Sequence, residues 1–122
     1  MLKELLLVGS GSFIGGVLRY LLSFLIKFDG THFPYATFLV NIIGCFIIGI
    51  IYAISLKNNI LSNNTILFLT VGVCGGLTTF STFSKESVQL VQNGFLGLSI
   101  LYIILSIILG ITAAFLGINT VK

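Results

Sequence analysis

The sequence predicts an all-α integral membrane protein with four transmembrane helices, the third of them broken at its centre. First, 57% of the 122 residues are hydrophobic and only 7% are charged, and the mean hydropathy of +1.18 is far above that of soluble domains. Second, the apolar runs match the length of about 20 residues that one helix needs to cross a bilayer core. Third, one of these runs is interrupted by the stretch GGLTTFSTF at residues 75–83.

The four predicted spans lie at about residues 5–26, 35–56, 65–92 and 95–116, which leaves a single membrane domain and little chain for any other. Short polar connections separate them. The first loop contains Asp29-Gly30-Thr31, Lys57-Asn58-Asn59 ends the second span, and Asn93-Gly94 precedes the fourth. Side-chain oxygens of Asn63, Asn64 and Thr65 are predicted to cap the start of the third span.

The third span contains the feature that points to a function. No residue from Asn58 to Ser84 is charged, yet paired glycines and paired threonines interrupt this run near residues 75–79. Unwound backbone at membrane depth is tolerated only where it is buried in protein or lines a watery cavity. Its free carbonyls can bind a cation, and the N-terminus of the next half-helix suits an anion. We therefore predict an ion site at this break.

Two aromatic residues, Phe80 and Phe83, flank Ser81 directly after the predicted break. An aromatic ring has a positive edge, so two ring edges could hold a small anion without a trapping charge. The alternative is that both rings only pack or face lipid.

Small and polar residues recur at helical spacing on the other spans, where they can bring helices together in lipid. The first span has the pair Gly11 and Gly15, and Asn41 is the only deep amide of the second. The stripe of the fourth span is consistent with either a packed interface or a hydrated path, and comprises Ser99, Tyr102, Ser106, Gly110, Ala113 and Gly117.

The positive charges are nearly balanced between the two sides of a four-span topology. An excess of Lys and Arg marks the cytoplasmic side, so a balanced count predicts insertion in both orientations. One side would receive Lys3, Lys57 and Lys122, and the other Arg19, Lys27 and Lys85. The net charge of +3 fits loop ends facing anionic lipid, and no nucleic-acid partner is indicated. Cys45 and Cys74 lie within spans and are interpreted as small packing residues without a disulfide.

The stretch GGLTTFSTF followed by Glu86 resembles the central motif of the Fluc fluoride channels, also called the CrcB family. Gly15 to Arg19-Tyr20 resembles the first-span pattern of that family, and residues 37–44, TFLVNIIG, resemble its second-span pattern. The sequence departs from the family at Ala36, where glycine is frequent, and in the fourth span at Gly110 and Ala114, where some members have hydroxyls.

The resemblance implies an antiparallel, dual-topology homodimer in the inner (plasma) membrane that passively releases cytoplasmic fluoride, a channel rather than an enzyme. Phe80 and Phe83 would bracket fluoride, and Asn41 would donate a hydrogen bond to it. Backbone carbonyls of Gly75 and Thr78 would bind a structural sodium ion. The polar path would be lined by Tyr102, Ser106, Ser81 and Thr82, with Arg19 and Glu86 near its aqueous ends.

Two other classes of protein are compatible with four short spans. A small proton-coupled exporter would need a deep carboxylate, and Glu86 is the only acidic residue in a position to supply one. A non-transporting assembly subunit would explain the glycines but not the central break or Asn41. Ion flux through liposomes that contain only this chain would separate the three classes.

Overall fold

The computed structural model describes residues 1–57 and 60–121, whose regular structure is entirely helical. Four helical segments are long and apolar enough to cross a membrane, as the sequence predicted: Leu2–Leu25, Tyr35–Ser55, Asn63–Gln92 and Leu96–Asn119. Their ends differ from the expected ones by at most three residues. The predicted boundary at Asn58 and Asn59, and the membrane side assigned to Lys122, lie outside the described residues.

The first two spans are continuous helices joined by a structured loop. Helix α1 comprises Leu2–Leu25 and α2 comprises Tyr35–Ser55, with the fully buried Pro34 as its N-cap. Gly30 adopts a left-handed conformation (φ 88°) that favours glycine. Its carbonyl accepts a hydrogen bond from Asn93 Nδ2 (3.1 Å), which ties this loop to the end of the third span.

The third span is composed of four consecutive helical segments. Helix α3 (Asn63–Leu67) leads into a π-helical segment (Phe68–Cys74), followed by α4 (Gly75–Leu77) and α5 (Phe80–Gln92). Between α4 and α5, Thr78 (φ −85°, ψ 155°) and Thr79 (φ −151°, ψ 126°) have extended backbones. The predicted caps of this span are wrong. The N-cap is Ser62, one residue before Asn63, and its side chain accepts a hydrogen bond from the Thr65 N–H (3.1 Å).

The first half of the third span packs on α1 with almost no side chain between the two backbones. A methyl group added at Gly11 would lie 2.8 Å from the Cα of Gly72. One added at Gly76 would lie 2.6 Å from the Ser12 carbonyl, and one at Gly15 would overlap the Val73 carbonyl. This reciprocal small-xxx-small contact is a common solution for helices in lipid, where the hydrophobic effect does not bring helices together.

Helix α6 (Leu96–Asn119) packs lengthwise against α2. A methyl group at Gly117 would overlap the Phe46 carbonyl, and one at Gly49 would overlap the Ala114 carbonyl. The predicted stripe of α6 forms its inner face, since all but one of its six members are buried: Ser99, Tyr102, Gly110, Ala113 and Gly117.

Candidate ion site at the interruption of the third span

The extended residues Thr78 and Thr79 are held by a side chain of α2. Asn41 Oδ1 accepts from the Thr79 N–H (2.8 Å), and Asn41 Nδ2 donates to the Thr79 carbonyl (3.2 Å). The Thr79 side chain in turn caps α5 by accepting from the Thr82 N–H (3.2 Å). Asn41 was predicted to donate to fluoride, and in this conformation both polar atoms of its amide bind Thr79.

The opposite side of the interruption is bound by α1. Arg19 Nε donates to the Gly76 carbonyl over 3.0 Å, which places a full positive charge beside the last turn of α4. The family resemblance implied that Arg19 lies near an aqueous end of the path. The structure places its guanidinium against the Gly76 carbonyl, two residues before Thr78.

The two predicted phenylalanines lie close together at the start of α5, with ring centroids 5.8 Å apart. Phe80 is 79% exposed on the single chain, whereas Phe83 is half-buried and contacts Tyr102 edge to face, with centroids 5.0 Å apart. Of the smaller predicted residues, Ser81 is exposed and lies 3.3 Å from the Thr79 hydroxyl. Phe80 therefore presents its ring to the surface of the chain, and Phe83 faces the bundle.

A groove of about 380 Å³ lies beside the interruption. Most of its wall is apolar, and its polar contributors are few. Among these, the buried Ser106 hydroxyl oxygen has no hydrogen-bond partner within the described part of the chain. The groove is lined by Thr79 and, among others, by five of the predicted site residues: Asn41, Thr78, Phe80, Phe83 and Ser106.

A second polar cluster lies farther along α5. Glu86 is buried, with 6% exposure, and both of its carboxylate oxygens accept hydrogen bonds. Thr37 Oγ1 donates to Oε2 (2.9 Å), and the Tyr102 hydroxyl donates to Oε1 (2.8 Å). Glu86 was expected near an aqueous end of the path, and the structure places it between α2 and α6, joined to Thr37 and Tyr102.

The groove and the Glu86 cluster are connected through the Tyr102 ring. That ring contacts Phe83 on the groove side, while its hydroxyl binds Glu86. Thr37 and Phe33 were not among the predicted site residues. Thr37 begins the stretch TFLVNIIG of the second span, which was the available signal. Phe33, whose ring lies 5.3 Å from that of Tyr102, lies in a loop where no periodic pattern can identify it.

Comparison with known proteins identifies the family. The sequence profile described as "CrcB-like protein, Camphor Resistance (CrcB)" matches residues 6–118. The chain belongs to the CrcB-like family. The resemblance found in the central motif is therefore confirmed, and it extends over nearly the whole chain.

Curated relatives of this CrcB-like chain have a common description. Proteins of Azobacteroides pseudotrichonymphae and Phocaeicola vulgatus, each named "Fluoride-specific ion channel FluC", are 49% identical to it over 118 residues. These alignments cover 96% of the chain and 94% or 97% of the relative. A protein of the same name from Flavobacterium psychrophilum is 43% identical over 122 residues, covering 99% of the chain and 98% of the relative. These names describe ion channels and no enzyme.

Proposed function

We propose that the chain is a passive, selective fluoride channel that releases cytoplasmic fluoride across the inner membrane and so protects the cell. The observation that carries this proposal is its identity of 49% to proteins named fluoride-specific ion channels over almost their full length. The groove adds chemical support. It combines aromatic rings, a buried hydroxyl and an amide, and none of the described residues that line it is acidic or basic. Such a lining is expected for a pore that must bind a small anion weakly enough to release it.

Efflux from liposomes that contain only this chain tests the proposal. We expect rapid fluoride efflux and little chloride efflux, with protein-free liposomes as the control. The same measurement with and without a pH gradient examines the exporter alternative, because proton-coupled transport would follow that gradient. Absence of any ion flux from folded protein would favour the assembly subunit.

We assign the selective step to the region between Phe80 and Phe83. Ring edges and the Ser106 hydroxyl would replace part of the water around fluoride, and the second N–H of the Asn41 amide would supply a further donor. Tyr102 would line the path with its ring, since its hydroxyl donates to Glu86. Either exchange, Phe80→Ile or Phe83→Ile, should lower fluoride efflux steeply while the protein stays folded. Phe115→Ile, at an α6 side chain that is 64% exposed, is the matched control. If both site variants show the same fluoride efflux as the unchanged chain, Phe80 and Phe83 are packing residues only.

The working form is proposed to be an antiparallel homodimer. The balanced Lys and Arg distribution favours insertion in both directions, and a single copy leaves the Phe80 ring almost fully outside the bundle. A cysteine added at the C-terminus, in a chain whose own two cysteines are replaced by alanine, should be labelled from both sides of the membrane. The cysteine-free chain is the control, and labelling from one side only would contradict dual topology.

The interruption also fits a structural sodium ion bound by backbone carbonyls of Gly75 and Thr78. In a continuous helix these carbonyls would accept from the N–H groups of Thr79 and Thr82. Those N–H groups instead donate to Asn41 and to the Thr79 hydroxyl, so both carbonyls lose their helical donors. Freed carbonyls of this kind are the ligands that sodium uses at broken membrane helices.

Replacement of sodium by choline tests this assignment, and should lower both thermal stability and fluoride efflux. Among the described residues of one chain, a methyl group at Gly75 would meet only the Thr70 carbonyl, at 3.6 Å. Gly75→Val should therefore remove the sodium dependence by acting on the ion site, whereas Gly97→Val, in open space on α6, should not. Equal stability in sodium and choline would contradict the site.

A further inference from the structure

The loop between α1 and α2 sends an aromatic side chain onto Tyr102. The Phe33 ring meets the Tyr102 ring nearly perpendicularly (79°), with centroids 5.3 Å apart. Phe83 contacts the same ring from the groove side, at 5.0 Å and 62°. Tyr102 is fully buried between these contacts, so the two phenylalanines together limit how far its side chain can move.

Phe33 is itself held in place. Its ring contacts Phe38 edge to face at 5.1 Å and Tyr35 at 5.1 Å. Its carbonyl accepts from the Tyr35 N–H (2.9 Å), and the next residue, Pro34, is fully buried. A ring fixed by its neighbours and by its own backbone can hold another ring in place, because it loses little further conformational entropy in doing so.

The position of the whole Tyr102 side chain determines where its hydroxyl lies. The phenol oxygen lies on the axis through Cβ and Cζ, so rotation about that axis leaves it in place. Displacement or tilting of the ring, in contrast, moves the oxygen away from Glu86 Oε1 and lengthens the 2.8 Å hydrogen bond. Displacement of the ring would affect the groove as well as the Glu86 cluster, since the same ring also contacts Phe83.

We propose that Phe33 is a positioning residue of the fluoride path. Its ring prevents displacement of the Tyr102 side chain, so that the hydroxyl stays on Glu86 and the ring stays against Phe83. The role is specific to an aromatic side chain, because an edge-to-face contact uses the quadrupole of both rings and an aliphatic group of similar size lacks it. This inference rests on the proposed fluoride channel, and it extends that path to a loop residue.

Fluoride efflux from liposomes tests the role of the ring. We expect Phe33→Leu to lower efflux about tenfold, the upper range for loss of one edge-to-face contact, and Phe33→Tyr to restore it close to the unchanged chain. Phe33→Met repeats the aliphatic test with a more flexible side chain. Phe28→Leu is the matched control, because Phe28 lies in the same loop and contacts His32 edge to face at 5.5 Å. Gel filtration verifies that each variant is folded.

A second readout does not depend on transport. In protein labelled with ¹³C at the tyrosine phenol carbon, the Tyr102 resonance is identified by its loss in Tyr102→Phe. Phe33→Leu should shift this resonance and Phe28→Leu should not. An unshifted resonance, efflux of Phe33→Leu equal to that of the unchanged chain, or failure of Phe33→Tyr to restore efflux would each overturn the proposal. If the unchanged chain itself passes no fluoride, the proposed function fails, and the resonance alone decides whether Phe33 holds Tyr102.

Discussion

The two halves of the third span are held in the bundle by different means. Before Thr78, the π-helical segment and α4 lie against α1 through glycines, with backbone almost touching backbone. After Thr79, α5 is bound by side-chain hydrogen bonds, and the buried Glu86 accepts from both α2 and α6. Asn41 lies at the junction and bonds to both main-chain groups of Thr79.

The difference indicates what each half can do. Glycine packing depends on shape and not on hydrogen-bonding side chains, so the first half is suited to be a rigid wall. Hydrogen-bonding side chains place donors and acceptors at defined points inside the membrane, so the second half can bind a polar species. Such groups are costly to bury and commonly mark a pathway. A span broken at its middle can combine both properties in one crossing.

The largest effect is expected at the glycine contact. Gly15→Ala would drive a methyl group into the backbone of Val73 and Leu77, which no side-chain movement relieves, and should destabilise the protein by about 3 kcal/mol. Thermal unfolding in detergent measures this. Gly16→Ala is the control, because open space surrounds that position. Equal stability of the two variants would show that α1 is free to move away from the third span.

A smaller loss is expected at the polar half. Glu86→Ala removes the acceptor of two buried hydroxyls, those of Thr37 and Tyr102, and should cost about 2 kcal/mol. Glu86→Gln keeps one carbonyl acceptor and should lose about half as much. Gln92→Ala, at an exposed position of α5, controls for helix propensity. Full stability of Glu86→Ala in the same unfolding assay would mean that α5 is held by its apolar contacts alone.

At the junction, Asn41→Ala removes both hydrogen bonds to Thr79 and should cost about 1 kcal/mol. Asn41→Asp keeps the acceptor for the Thr79 N–H but sets a carboxylate oxygen against the Thr79 carbonyl. We therefore expect amide hydrogen exchange at Thr79 to rise more in Asn41→Ala than in Asn41→Asp. Unchanged exchange in both variants would show that the extended backbone persists without Asn41.

The smallest effect belongs to the single serine hydrogen bond across the glycine contact. Ser12 Oγ lies 3.4 Å from the Gly72 carbonyl, which is long for a hydroxyl donor. Ser12→Ala should change stability by less than about 0.5 kcal/mol. Ser10→Ala, whose hydroxyl bonds within its own helix, gives the reference. A loss of several kcal/mol would show that hydrogen bonding, and not shape, holds the first half of the third span against α1.

Local patterns predicted the parts of this molecule that depend on one helix at a time. Span positions follow from apolar length, and the small-residue stripe of α6 follows from its period, because both are properties of a single segment. Gly11 and Gly15 were predicted to form a packing face on the same grounds. That they meet Gly72 and Gly76 could not be predicted, because a face does not specify its partner.

The site shows the same division. The glycine and threonine stretch indicated an interruption, yet Gly75–Leu77 are helical and the extended residues are Thr78 and Thr79. Asn41 was recognised as an unusual deep amide, but its bonds to Thr79 depend on the packing of α2. The contact of Phe33 with Tyr102 depends on how a loop folds back, and no periodicity describes that.

The π-helical segment Phe68–Cys74 determines in which direction the side chains that follow it in the third span point. A π turn contains more residues than an α turn, so it changes the direction in which all later side chains point. Removing one residue there would rotate the following helix by about 100°. Gly76 faces α1 and Thr79 faces Asn41 of α2, so one residue too few before them would turn both away from their partners. The contacts of Gly76 and Thr79 therefore constrain how many residues the π-helical segment contains.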